Sequence, residues 1–220
     1  MNAELKKRII TSICLFSLLT LMFFYTFVLI VSLIIIGILA WIEFYALISK
    51  ILPKENIKNN ILRFLYKAVS LLYLSLIVSL IIFTKSKNSE LQIVIIYTIL
   101  ITIMSDIGGL VIGKFFKGKK LTKISPKKTI SGSIGSFIFS LSIVPFFFNF
   151  FTTYNLLYFI FITLVISLTG QVGDLFISFL KRKAKVKDTS DLLPGHGGIL
   201  DRIDGIIFAI PVGFLTLNIL

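Results

Sequence analysis

All six aspartates of the chain lie after residue 105 (Asp106, Asp174, Asp188, Asp191, Asp201 and Asp204), whereas the four glutamates (Glu4, Glu43, Glu55 and Glu90) lie in the first 90 residues. Asp106, Asp174, Asp201 and Asp204 fall within or at the ends of strongly apolar segments. An ionised carboxylate at membrane depth costs on the order of 3 kcal/mol or more unless it is paired, so such residues are read first as functional. The competing reading is neutralisation by Lys or Arg to fix helix packing. Asp201 and Asp204 are three residues apart and share one face if that stretch is helical. Asp174 sits near the end of the preceding apolar run, on the same expected side of the bilayer. Three carboxylates at one depth make a hard oxygen site suited to Mg²⁺. With one histidine and one cysteine in the chain, zinc is a poor candidate.

The segment between these acids suits a phosphate-bearing ligand. Lys181, Arg182, Lys183, Lys185 and Lys187 form a basic run, followed by Pro194-Gly195-His196-Gly197-Gly198. Glycines let backbone N–H groups approach an anion closely, and the run leads into an expected helix N-terminus, which favours negative charge. His196, set between glycines, a basic run and paired aspartates, is a candidate site residue. A second cluster has the same character. Ser105-Asp106 followed by Gly108-Gly109 is expected to interrupt an apolar run, with Gly109 and Gly113 at a spacing that equally suits close helix packing. A lysine-rich loop follows, ending in Ser125-Pro126-Lys127-Lys128-Thr129 before the next apolar run. Two basic, glycine-containing loops feeding helix N-termini suggest a polyanion, such as a nucleoside triphosphate, beside carboxylate-bound metal.

These loops need elements to hold them. The chain is 56% hydrophobic and 15% charged, against about 45–50% and about 25% for soluble domains. Apolar runs at 9–25, 27–49, 65–84, 91–113, 132–151, 155–180 and 199–220 each approach the ~20 residues a bilayer-spanning helix needs. The expected fold is therefore all-α: a polytopic integral membrane protein of about seven spans, within a range of six to nine. The first two runs are nearly continuous, with a boundary expected near Tyr25-Thr26. Residues 91–113 and 155–180, with internal polar groups, are expected to be broken. A scaffold over 1–90 and a catalytic region over 91–220 are expected to form one continuous membrane domain. With the N-terminus in the cytoplasm, 21 of 23 Lys and Arg residues fall on the inner side, leaving Lys85 and Lys87 outside. That asymmetry accounts for the formal charge of +13 without nucleic acid. The N-terminal Lys6-Lys7-Arg8 precedes an apolar stretch with no small-residue cleavage site, so an uncleaved first helix is expected. Cys14, the single cysteine, excludes an internal disulfide.

The stretch SFLKRKAKVKDTSDLLPGHGGILDRID (178–204) closely resembles the signature of the phosphatidate cytidylyltransferases, or CDP-diacylglycerol synthases. SDIGGLVIGKFFKGK (105–119) and SPKKT (125–129) resemble further elements of that family, so the likeness covers roughly 105–210. The resemblance implies cytidylyl transfer from CTP to phosphatidate, giving CDP-diacylglycerol and pyrophosphate for phospholipid synthesis. It implies Mg²⁺, with K⁺ as a monovalent companion, a homodimer, and an active site at the cytoplasmic face of the cell (inner) membrane. By motif match Asp174 and Asp201 are the implied metal ligands, with Asp204 a supporting carboxylate. Lys128, Lys187 and Arg202 would face phosphates, Asp188 and His196 would complete the loop, and Ser125, Thr129, Gly195, Gly197 and Gly198 would cradle the nucleotide. His196 is expected to orient a phosphate or the loop rather than act as a general base.

Two positions depart from the family pattern: Ser131 and Ile177 stand where glutamates are usual. Either the metal site is poorer in carboxylates, or those glutamates serve packing or outer support. A lipid-alcohol kinase or another CTP:lipid cytidylyltransferase shares the substrate logic. A CDP-alcohol phosphotransferase needs aspartates at other spacings. An ion-coupled transporter would place its acids near the midplane, with symmetry between halves. Here the acids gather beside lysine-rich loops and the halves differ in composition.

Overall fold

The computed structural model of the chain describes residues 3–54, 56–87, 89–122, 124–126, 128–151 and 154–218. Glu55, Lys123 and Lys127 lie outside them. Helices dominate, as they must where no water is at hand to satisfy backbone N–H and C=O groups. In order they are α1 (Ala3–Phe24), α2 (Thr26–Ile51), α3 (Ile57–Lys87), α4 (Ser89–Phe116), α5 (Ile130–Leu141), α6 (Val144–Phe147) with a 3-10 turn (Phe148–Phe150), α7 (Leu156–Lys183), α8 (Leu200–Ile203) and α9 (Ile206–Asn218). No β-strand occurs among the described residues; only isolated bridges pair Lys120 with Thr129 and Leu193 with Gly197.

Among the described residues, six helical segments are long and apolar enough to cross a membrane: Leu5–Phe24, Thr26–Ile51, Ile57–Lys85, Leu91–Phe116, Ile130–Phe150 and Leu156–Lys183. The boundary at Tyr25 is real, since that residue is extended (φ −116°, ψ 108°) between two helices. The seventh expected span is divided into α8 and α9 at Asp204-Gly205. At 13 residues, α9 is about 20 Å long, short of the ~30 Å hydrocarbon layer. By contrast α4 and α7, expected to be broken at their polar residues, are continuous helices.

The chain forms two compact units. One comprises Met1–Ile82 and Leu180–Ile203; the other comprises Phe83–Phe179 and Asp204–Leu220. In the first, α2 packs on α1 and on α8. In the second, α4 packs on α5 and α9 around an aromatic core in which Tyr97 stacks on Phe159 at 5.0 Å between ring centres. The buried Tyr97 hydroxyl shares a 2.5 Å hydrogen bond with Thr163 of α7.

Glycines explain how α4 tolerates Gly108 and Gly109 without breaking. A Cβ on Gly109 would lie 2.8 Å from Ser136 Oγ, and one on Gly132 would lie 2.9 Å from the Gly109 carbonyl. The two backbones are in direct contact, so tertiary packing offsets the poor helix propensity of glycine. Ser136 Oγ donates to the Ser105 carbonyl (2.7 Å), and Ser140 donates to Ser167 of α7 (2.9 Å).

Candidate active site

Within the second unit, the close approach of α4 and α5 sets one wall of a cavity of about 310 Å³. Asp106 and Gly109 come from α4, Gly132, Ser133 and Ser136 from α5, and Gln171, Asp174 and Leu175 from α7; Leu121, Ser125, Lys128 and Thr129 come from the lysine-rich loop. The loop is held by its own backbone: Lys128 N–H donates to the Ser125 carbonyl (3.0 Å) and Ile130 N–H to the Lys119 carbonyl (2.9 Å). Thr129 is the N-cap of α5, its hydroxyl oxygen accepting from Gly132 N–H at 3.0 Å, which satisfies one of the free donors of that helix end. Lys128 forms an ion pair with Asp174, whose other oxygen accepts from Ser178 (3.3 Å). Four residues singled out in the sequence, Ser125, Lys128, Thr129 and Asp174, thus line one cavity. Asp106, left outside the site assignment, lines it too.

The positions without glutamate have clear local roles. Ser131 Oγ accepts from Gly118 N–H (3.3 Å), closing the lysine-rich loop on α5. Ile177 is 1% exposed, so an ionised side chain at that position would be taken out of water. Asp204, at the start of the last helical segment, belongs to this unit, and its carboxylate accepts from Gly205 N–H (2.9 Å).

The first unit holds the signature loop. Leu193, Pro194, Gly195 and His196 make a turn closed by His196 N–H donating to the Leu193 carbonyl (2.8 Å). Proline fits its second position, and Gly195 supplies the φ of +78° at its third. Gly197 follows at φ +82°. Arg202 clamps the turn, its guanidinium donating twice to the His196 carbonyl, with Nε at 3.0 Å. A cavity of about 680 Å³ opens here, lined by Lys187, Asp188, Asp191, the 193–197 turn, Arg202, and Lys7 and Arg8 of α1. Thr11 donates to the Pro194 carbonyl (3.0 Å), and Ser12 Oγ lies 3.4 Å from His196 Nε2. Arg8, Thr11 and Ser12 share a helix face, so the start of α1, outside the 105–210 stretch that carries the family likeness, is part of this site. His196 Nδ1 is buried with no partner among the described residues.

Asp201 is turned inward from this cavity. Its Oδ1 accepts from Lys181 Nζ (2.6 Å), and its Oδ2 accepts from Thr189 N–H (2.8 Å) and Gly198 N–H (3.1 Å). Burial pushes its pKa up, but the Lys181 and backbone hydrogen bonds and the Lys181 charge outweigh this and hold it below the usual carboxylate value. Gly198 is enclosed beside Thr189 and Glu43. Glu43, 4% exposed in the apolar α2 and given no site role by the sequence, accepts four hydrogen bonds from this loop. It is the single acid in the apolar run 27–49, and that signal was available.

No three Asp, Glu, His or Cys side chains are grouped as a metal cage among the described residues. Mg²⁺ asks for less, one or two carboxylates with water and substrate phosphates completing its shell. Asp174 and Asp201 each already hold a lysine ammonium, so each stands where positive charge is stabilised. Their chemistry fits a hard divalent cation.

The phosphatidate cytidylyltransferase of Rickettsia typhi (strain ATCC VR-144 / Wilmington) is 37% identical over 163 residues, 70% of each chain. That of Rickettsia bellii (strain RML369-C) is 36% identical over 159 residues, 68% of each. The enzyme of the same name from Staphylococcus aureus (strain COL) is 46% identical over 129 residues, 57% of this chain and 48% of its own. The model of the cytidylyltransferase family matches residues 2–220, and the chain belongs to that family.

Proposed function

We propose that the chain is a multi-pass membrane enzyme that transfers the cytidylyl group of CTP to phosphatidate. A phosphate oxygen of phosphatidate supplies the electron pair for a new bond to the α-phosphorus of CTP. The bond from that phosphorus to the bridging oxygen breaks, and pyrophosphate leaves with its electrons. The products are CDP-diacylglycerol and pyrophosphate. The observation that carries this reading is the cavity where Lys128 pairs with Asp174 beside Ser125 and Thr129, in a chain of this family.

Phosphatidate is already ionised near neutral pH, so its attack needs little base catalysis. The harder task is to hold two polyanions together and stabilise charge on the transferring group, which positioned cations and N–H donors do best. Lys128 and Lys187 contact phosphate oxygens, and the turn at Gly195 and Gly197 presents backbone to them. His196 orients the turn through its carbonyl and its contact with Ser12. Asp174 and Asp201 are the carboxylates that would hold Mg²⁺, with K⁺ as a monovalent companion and Asp204 in support. When bound, the divalent ion neutralises phosphate charge. The enzyme works as a homodimer in the inner membrane, with its N-terminus and site on the cytoplasmic side, in accord with the distribution of basic residues.

The test is pyrophosphate release and CDP-diacylglycerol formation by purified protein given phosphatidate, CTP and Mg²⁺. Asp174→Asn and Asp201→Asn should each abolish turnover while the protein still inserts and folds, and chelation should stop the wild type until Mg²⁺ is restored. Normal turnover in either variant would remove that residue from the metal site.

A further inference from the structure

Glu43 is the most heavily engaged side chain outside the residues assigned above. Its Oε1 accepts from the Ser190 hydroxyl (2.6 Å) and Ile199 N–H (3.0 Å), and its Oε2 from the Thr189 hydroxyl (2.7 Å) and Leu200 N–H (2.8 Å). Each carboxylate oxygen therefore takes one hydroxyl and one backbone N–H, and all four donors belong to one loop. The loop is gripped at both ends of its turn: at 189–190, just after the basic run, and at 199–200, where the turn carrying Asp201 and Arg202 begins. Thr189 also lies against Asp201, through its N–H (2.8 Å) and its hydroxyl (3.0 Å).

We infer that Glu43 is a positioning residue for the cytidylyl-transfer reaction, a buried carboxylate on α2 that holds the signature loop in the shape presenting Arg202, His196 and Asp201. The inference rests on the function proposed above. A carboxylate is the one side chain that meets this set of donors. Both oxygens accept, whereas the amide of a glutamine has one acceptor and one donor end. A hydroxyl can rotate to accept from that NH₂, but a backbone N–H cannot. Whichever way a glutamine is turned, its NH₂ faces the N–H of Ile199 or Leu200. A buried donor left facing a donor is costly, and hydrogen bonds to charged groups are the stronger kind. An aspartate keeps both acceptors but withdraws them by one methylene.

The basic run supplies its own probe, because Lys185 and Lys187, with the last turn of α7 just before them, offer trypsin cleavage points at the start of the loop that Glu43 tethers, and the lysine-rich loop at 114–128 serves as an internal control. Wild type, Glu43→Gln and Glu43→Asp would be purified in detergent. Each would be treated with trypsin, with fragments read by mass, and assayed for kcat and for KM with CTP and phosphatidate. In Glu43→Gln, cleavage within 181–187 should accelerate roughly 10- to 100-fold while cleavage within 114–128 stays unchanged, since cutting follows the open population. Its kcat should fall by about tenfold or more, and Glu43→Asp should recover part of both effects. Two results would overturn the inference: wild-type cleavage and kcat in Glu43→Gln, or faster cleavage at both loops, which would mark Glu43 as a general stability residue. If wild type transfers no cytidylyl group to any lipid, the functional reading fails, while the cleavage pattern still decides whether Glu43 holds the loop.

Discussion

Replacing Gly135 by alanine tests the idea that the α4–α5 contact shapes the cavity. A Cβ at this position would lie 2.6 Å from Ile112 Cγ1 and 2.7 Å from the Gly108 carbonyl oxygen, where ordinary contact begins near 3.4 Å. The carbonyl is part of the α4 backbone and cannot rotate away, so the helices must part by roughly 0.7 Å in a close-packed interior. Overpacking of this kind costs about 1–3 kcal/mol, and in a protein of this size each kcal/mol lowers Tm by roughly 2–4 °C. The same displacement moves Asp106 against Ser133 and Thr129 across the cavity, and a misplacement of about 1 Å can reduce turnover by up to 100-fold. The assay is kcat for CDP-diacylglycerol formation beside a thermal melt in detergent. Gly37→Ala is the control, since its added Cβ meets only a side-chain methyl, Val78 Cγ2, at 3.1 Å. A Gly135→Ala protein with wild-type kcat and Tm would refute the claim that backbone contact here sets the site.

Three further outcomes are expected. Lys128→Gln should raise KM for CTP by about tenfold or more, because a charged hydrogen bond to phosphate is lost; saturation kinetics with CTP varied would show it. Asp201 has a folded pKa below its unfolded value of about 3.9, so its stabilising contribution is fully present above that pH and is lost as pH falls through the folded value. The Tm difference between wild type and Asp201→Asn should therefore narrow on acidification below about pH 4, and a constant difference would contradict the Lys181 and backbone contacts. Replacing both Lys7 and Arg8 by alanine should raise KM for CTP, and the effect should shrink as salt shortens the screening length from about 10 Å at 0.1 M to about 3 Å at 1 M.

Local composition made much of this protein legible. Apolar runs of span length must become helices in lipid, because nothing else there satisfies the backbone, and five of the seven expected runs correspond closely to single long helices. The turn at Leu193–His196 follows from proline and glycine in adjacent places, since φ preferences act within a residue or two. Ser125, Lys128 and Thr129 could be grouped because they are neighbours in sequence. What the sequence hid is non-local. Continuous helix through Gly108-Gly109 depends on glycines of α5 filling the gap, so a local breaker became a contact. The run 132–151 became the 12-residue α5, a turn at 142–143, the single-turn α6 that opens at Val144-Pro145, and a 3-10 turn, and the last run split at Asp204-Gly205.

Residue types alone determined that this is a helical membrane protein with carboxylates, lysines and glycine turns gathered in two loops. Tertiary structure decided which carboxylate does what: Asp174 opens on a cavity with Lys128, Asp201 is drawn inward by Lys181, and Glu43 grips a loop that follows it by 146 residues. The physical reason is that the cost of burying a charge is set by the residue, whereas the donors that offset it come from wherever the chain folds back.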